Sequence, residues 1–153
     1  MQVRQLCSRE LVSAPENASV GEVARLMRDR HVGAIVITGS RNARSVALGI
    51  ITDRDIVRAQ LERAGDLSEL PAFQIMTPDP LLLPEHTTLG DAIDRLALRG
   101  VRRAPVVNAA GELVGLISVD DLIGQVAREL SSLARLLGLQ PTIEGLSANP
   151  QAL

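Results

Sequence analysis

Apolar residues along the chain follow two rhythms, and the rhythms alternate twice. In Val20, Val23, Ala24 and Met27, and again in Leu89, Ala92, Ile93 and Leu96, they return at intervals of three and four, the spacing of one face of a short helix. Ser19 and Thr88 stand just ahead of these runs, with Glu22 and Asp91 three residues on. Each pair predicts an N-cap with a capping-box acid, Asp being the weaker third residue. Gly33-Ala34-Ile35-Val36-Ile37 and Ala104-Pro105-Val106-Val107 are instead continuous apolar runs and predict buried strands. Turn residues follow each, Gly39-Ser40-Arg41-Asn42 and Asn108-Ala109-Ala110-Gly111. Second apolar runs, Val46 to Ile51 and Leu113 to Ile117, then return as hairpin partners. The polar stretch from Thr38 to Ala47 reads as a longer, mobile loop. Thr52 and Ser118 cap second helices, from Asp53 to about Glu62 and from Val119 to about Leu137. In the longer of these, Leu122, Ile123, Val126, Leu130, Leu133, Ala134 and Leu137 keep helical spacing, and Gly138 is placed as the C′ stop.

The alternation is an internal duplication. Gly49-Ile50-Ile51-Thr52-Asp53-Arg54-Asp55-Ile56 returns as Gly115-Leu116-Ile117-Ser118-Val119-Asp120-Asp121-Leu122, 66 residues later. Upstream, Pro15-Glu16 matches Pro84-Glu85, Val20-Gly21-Glu22 matches Leu89-Gly90-Asp91 and Val32 matches Val101, all 69 residues apart. At the same offset Leu6-Cys7-Ser8 stands where Ile75-Met76-Thr77 stands, and both read as a short turn leading into a strand-like segment. The change of offset is the extra length of the first hairpin loop. Each repeat is strand, helix, strand, strand, helix, and neither has much core alone. The expected fold class is α/β (α+β), with two pseudo-symmetric βαββα repeats packed as one module. The expected boundaries are 1–64 for the first repeat, 65–73 for a linker and 74–138 for the second repeat with its extended C-terminal helix. Residues 139–153 read as a flexible tail. Pro141, Gly145 and Pro150 interrupt it without periodicity, so its removal is expected to leave folding almost unchanged.

Composition narrows the function classes. Of 153 residues 46% are hydrophobic but only 1% aromatic, so the core is aliphatic. A net charge of −2 gives no electrostatic footprint for nucleic acid or an anionic membrane, and Phe73 is the only residue on which a base would stack. Cys7 is alone, no leader-like segment opens the chain, and no apolar run approaches bilayer length. The expectation is a cytoplasmic protein without nucleic-acid or membrane partners. Cys7, His31 and His86 lack ligand spacing, so no metal site is expected. No Gly-x-Ser-x-Gly elbow, Gly-Lys-Ser/Thr phosphate loop or Gly-x-Gly-x-x-Gly fingerprint appears, so no catalytic residues are assigned and an enzyme is not expected.

The paired Gly-apolar-apolar-Thr/Ser-x-x-Asp segments, Ile75-Met76-Thr77-Pro78, Val101-Arg102-Arg103-Ala104-Pro105-Val106-Val107 and Thr52-Asp53-Arg54-Asp55-Ile56-Val57 together resemble the cystathionine-β-synthase (CBS) domain family in its tandem, stand-alone form, over about residues 3 to 130. That resemblance implies a pseudo-twofold pair of βαββα units with a cleft on each side. It also implies a regulatory, signal-transducing role in which the clefts sense an adenosyl ligand such as AMP, ADP, ATP or S-adenosylmethionine, with no cofactor required. Homodimers formed through the helices are implied as well, with an unidentified protein partner to read the state. Two departures stand out. The first copy has Ile35-Val36-Ile37 where the second has Ala104-Pro105-Val106, so the family's Pro is missing there, and Cys7 replaces the Met of the lead-in turn. The alternative from another class is a structural or protein-interaction scaffold with empty clefts.

Two roles fit Thr52 and Asp55, and equally Ser118 and Asp121. They cap helices, and they suit a ligand, the carboxylate accepting from two ribose hydroxyls and the helix start receiving a phosphate. Arg54, Arg102 and Arg103 are either solvated or phosphate donors. Thr77 lies in the lead-in motif beside them. Ile35, Ile75, Met76 and Ala104 either sandwich an adenine ring or belong to the core. Arg102 and Arg103 precede the buried strand of the second copy, where the first copy has Gly33 and Ala34. The cleft they serve, taken with Asp121, is therefore expected to bind phosphorylated adenosines more tightly. Leu130, Leu133, Leu136 and Leu137 extend an apolar stripe past the repeat and are expected in a dimer contact.

Overall fold

Both hairpins form, and each is the centre of one sheet. The computed structural model describes residues 1–138; the tail expected over 139–153 lies outside the described residues. In chain order the elements are β1 (Ser13–Pro15), α1 (Val20–Arg30), β2 (Ala34–Arg41), β3 (Arg44–Thr52), α2 (Asp53–Glu62), β4 (Thr77–Pro78), β5 (Leu83–Pro84), α3 (Leu89–Arg99), β6 (Arg103–Val107), β7 (Leu113–Ser118) and α4 (Val119–Leu136). Single 3-10 turns at Val3–Gln5 and Ala72–Gln74 precede the two halves. The fold is the mixed α and β arrangement expected from the duplicated pattern. Met1–Leu122 form one compact unit with both sheets; α4 from Ile123 on belongs to a second.

The capping acids explain where the helices begin. Glu22 N–H donates to Ser19 Oγ at 3.2 Å while Ser19 N–H donates to Glu22 Oε2 at 2.7 Å, closing a reciprocal box at α1. At α3 Asp91 accepts only from the hydroxyl of Thr88, at 2.8 Å, while Asp91 N–H donates to Thr88 Oγ1 at 3.2 Å. Both helices end in a left-handed residue, Gly100 for α3 but His31, with φ 53°, for α1. A Cβ at this conformation costs about 1–2 kcal/mol.

The first sheet has the order β1-β2-β3-β4 and the second β5-β6-β7. The stretch from Thr38 to Ala47 is not the mobile loop expected from its polarity. Its ladder continues through Thr38↔Ala47, Gly39↔Val46, Ser40↔Ser45 and Arg41↔Arg44. Asn42 and Ala43 close it at φ 51° and 60°, the two positive φ values that a two-residue hairpin turn needs. A polar ribbon with its backbone groups paired is as compatible with water as a loop. Both hairpins carry one bulge at equivalent places, after Ile37 and after Val106.

The lead-in segments cross over. Thr77 of β4 pairs with Ile50 in the first sheet, and Ser8 bridges to Leu116 in the second. Ala72 is buried with Ile35, Ile37 and Ile51, whereas Val3 is buried with Leu83, Val106 and Ile117. Complete burial of a side chain such as Val3 contributes about 1.5–3 kcal/mol, so the exchange ties the halves together. The close approach dictates two glycines. A Cβ on Gly49 would lie 2.5 Å from Met76 Sδ and 2.8 Å from Thr77 O. One on Gly115 would lie 2.9 Å from Cys7 Sγ and 2.8 Å from Ser8 O. Both cores are aliphatic, and Phe73 is half exposed.

Candidate functional site

Because the lead-ins exchange, each strand-to-helix junction faces residues from the other half. The β3–α2 junction opens into a cleft of about 590 Å³. Thr52, Asp53, Arg54 and Asp55 line it from the first repeat, and Thr77, Pro78, Asp79, Pro80 and Leu81 from the crossing segment. Arg99, Val101, Arg102 and Arg103 come from the end of α3 and the start of β6, and Ile50 from β3. The β7–α4 junction opens into a narrower cleft of about 220 Å³. Its lining is Ser118 and Asp121, the crossing residues Ser8, Glu10, Leu11 and Val12, then Val32, Gly33 and Ala34, with Leu116 and Arg103. Pockets for small molecules run from roughly 300 to 1,000 Å³, a range that only the wider of the two reaches.

The two junctions are built alike. Thr52 N–H and hydroxyl both donate to Asp55 Oδ2, at 2.8 and 2.7 Å, and Asp55 N–H donates to Thr52 Oγ1 at 3.2 Å. For Ser118 and Asp121 the same three distances are 2.8, 2.6 and 3.2 Å. In each box one carboxylate oxygen is consumed by the cap. The other has no hydrogen-bond partner among the described residues and remains an acceptor.

Their charges differ. The wider cleft carries four arginines against three aspartates, and the narrower one has Arg103 against Glu10 and Asp121. Arg99 donates to the carbonyl oxygen of Asp79 at 3.1 Å, and Arg102 Nη2 stands 3.7 Å from Asp120 Oδ1. The Arg102–Asp120 pair is about three-quarters exposed on both sides, so it holds Arg102 by no more than about 1 kcal/mol. Arg54 and Arg103 make no ion pair with any described residue. Cations left unpaired beside an apolar wall of Ile50, Pro78, Pro80, Leu81 and Val101 suit a ligand that is anionic at one end and flat and apolar at the other.

Of the residues expected from the sequence, Thr52, Arg54, Asp55, Thr77, Arg102 and Arg103 come together in the wider cleft, and Ser118 and Asp121 meet Arg103 in the narrower one. Ile35 and Ala104 are fully buried in the two cores and line neither cleft. Met76 is half buried against the first core, its sulfur over Gly49. Grouping Arg102 with Asp121 is corrected, while Arg103 lines the clefts of both Asp55 and Asp121. Arg102 lies in the Thr52–Asp55 cleft, because the start of each buried strand faces the junction of the other repeat. Sequence reasoning passed over Asp53, Asp79, Pro80, Leu81 and Arg99 in one cleft and Ser8, Glu10, Leu11 and Val12 in the other. Projection of the 69-residue offset onto Thr77, Asp79, Pro80 and Leu81 names those last four directly. Burial raises the pKa of the Cys7 thiol, which packs by Gly115. No group of three or more His, Cys, Asp or Glu among the described residues is placed to hold a metal.

Comparison with known proteins bears on this geometry. The family model for the CBS domain matches twice, at residues 3–62 and 72–128. An uncharacterized 17.7 kDa protein of Acidianus ambivalens is 32% identical over 120 residues, covering 78% of this chain and 70% of that protein. A CBS domain-containing protein of Arabidopsis thaliana is 27% identical over 96% of this chain, which spans only 26% of its length. Among solved structures, a CBS domain protein from Pyrobaculum aerophilum complexed with AMP superposes with a TM-score of 0.72 and 32% identity, over 86% of this chain and 99% of that one.

Proposed function

This chain belongs to the CBS-domain family as a tandem pair, and we propose that it is a regulatory module, not a catalyst, that senses a phosphorylated adenosine in the cleft between Thr52 and Arg103. The observation that carries the reading is the meeting of unpaired Arg54 and Arg103 with the Thr52–Asp55 box and an apolar wall. Asp55 offers its remaining oxygen to the ribose hydroxyls. The start of α2 and the guanidinium groups of Arg54, Arg102 and Arg103 take the phosphate, and Ile50, Pro80, Leu81 and Val101 cover the purine. The AMP complex of the 32% identical relative supports this ligand class. Among adenosyl ligands the arginines favour AMP, ADP or ATP over S-adenosylmethionine, whose sulfonium would meet like charge.

The state of the cleft is read through a homodimer in this proposal. Ile123, Val126, Leu130 and Leu133 along α4 and Leu137 just past its end recur at three and four residues and are 44–74% exposed. That heptad-like stripe is self-complementary under twofold symmetry and is covered by a second copy. Light scattering at micromolar concentration is expected to give a dimer, and a monomer contradicts it. For the ligand, a thermal-shift series with AMP, ATP, adenosine and S-adenosylmethionine is the test. Saturation to 100 times the dissociation constant adds about 2.7 kcal/mol. A response to AMP or ATP greater than to adenosine is expected; no response to any of them favours an empty scaffold.

A further inference from the structure

One arginine is common to both clefts. Arg103 opens β6 and pairs in register with Ser118, the hydroxyl residue of the narrower cleft, and it lines both that cleft and the wider one. Its counterpart in the first repeat, Ala34, lines the narrower cleft alone, so the sharing breaks the pseudo-symmetry at one position. Arg103 is half buried and forms no ion pair with any described residue, which leaves a long side chain free to serve either side. Among the described residues it is the only cation lining the narrower cleft, which Glu10 and Asp121 also line.

We propose that Arg103 is an affinity determinant shared by both clefts, so that an anion bound in the wider cleft weakens anion binding in the narrower one. The physiological anion rests on the nucleotide reading above; the sharing itself does not. A phosphate in the wider cleft recruits Arg103 as a charge-assisted donor. Glu10 and Asp121 then line the narrower cleft without a cation and repel a second anion. By thermodynamic reciprocity an occupant of the narrower cleft weakens the wider one by the same factor.

The test is a double-mutant cycle on wild type, Glu10→Gln, Arg103→Ala and the double variant, with Arg103→Gln as the substitute should Arg103→Ala fold poorly. AMP and inorganic pyrophosphate are each titrated and followed at the backbone amide of Arg54, which lines only the wider cleft. Glu10 lines only the narrower one. Its neutralisation removes a carboxylate that competes with the wider-cleft anion for the unpaired Arg103 and is expected to tighten binding at Arg54 by about fivefold, the lower end of common coupling factors. With Arg103 removed, the same substitution is expected to change nothing. A Glu10 effect of equal size in both backgrounds, or none with either probe, overturns the shared arginine. The cycle appearing with pyrophosphate while AMP fails to bind overturns the nucleotide reading and leaves the shared arginine standing.

Discussion

The two clefts have one scaffold and two chemistries. Their Thr52–Asp55 and Ser118–Asp121 boxes agree to within 0.1 Å in every hydrogen bond. Their glycines, Gly49 and Gly115, are both held open by a crossing segment. The clefts differ at a few equivalent positions: Arg54 against Asp120, Arg102 against Gly33, Arg103 against Ala34. The Thr/Ser-x-x-Asp motif is thus a structural joint that is available to a ligand, and the residues around it decide which ligand comes. A capping box explains its own geometry without any ligand, so the motif is weak evidence for binding. The unpaired arginines, for which folding gives no reason, are stronger.

The largest difference between the clefts is expected at the arginines. Arg102→Ala with Arg103→Ala removes two charge-assisted bonds of about 1.5–3 kcal/mol each, so AMP is expected to weaken about a hundredfold or more. Adenosine should change little, and calorimetry showing equal losses for both ligands would assign the arginines to folding. Next in size is the shared scaffold. Gly49→Ala and Gly115→Ala each force an atom against a crossing backbone, and each is expected to cost about 1–3 kcal/mol in denaturant unfolding. If only one is costly, the two joints are not equivalent. Asp55→Asn and Asp121→Asn then separate cap from ligand. Both should lower stability by about 1 kcal/mol through the cap, while only Asp55→Asn weakens AMP, by about tenfold for one bond. Equal affinity losses would place ligand in both clefts. The smallest effect lies at the helix ends, where His31→Gly relieves a strained left-handed residue and should raise stability by about 0.5–1 kcal/mol. Gly100→Ala should lower it by a similar amount, checked by thermal unfolding.

Local order was legible in the sequence. The apolar spacings locate α1 and α3, and the return of Thr52-x-x-Asp55 as Ser118-x-x-Asp121 shows the duplication. What spacing along the chain does not carry is which half meets which. Adjacency grouped Arg102 and Arg103 with Ser118, and the register agrees that Arg103 and Ser118 are cross-strand neighbours. Yet Arg102 lines the other junction, because the start of each buried strand meets the opposite repeat, and spacing along the chain does not show that. Polarity likewise suggested a loop over Thr38–Ala47, because it cannot distinguish a solvated loop from a solvated ribbon. Ile35 and Ala104 admitted both a base contact and the core, and only burial separates those roles.

In this proposal a phosphorylated adenosine enters the cleft of Thr52, Asp55, Arg102 and Arg103 ahead of the cleft of Ser118 and Asp121. Amide chemical shifts recorded while AMP is added test it at both places in one experiment. Thr52–Asp55, Thr77 and Arg102 are expected to move and saturate first, with Ser8, Glu10 and Ser118 responding only at higher concentration or not at all. Shifts that begin at Ser8, Glu10 and Ser118, or that fail to appear in either cleft, would contradict it.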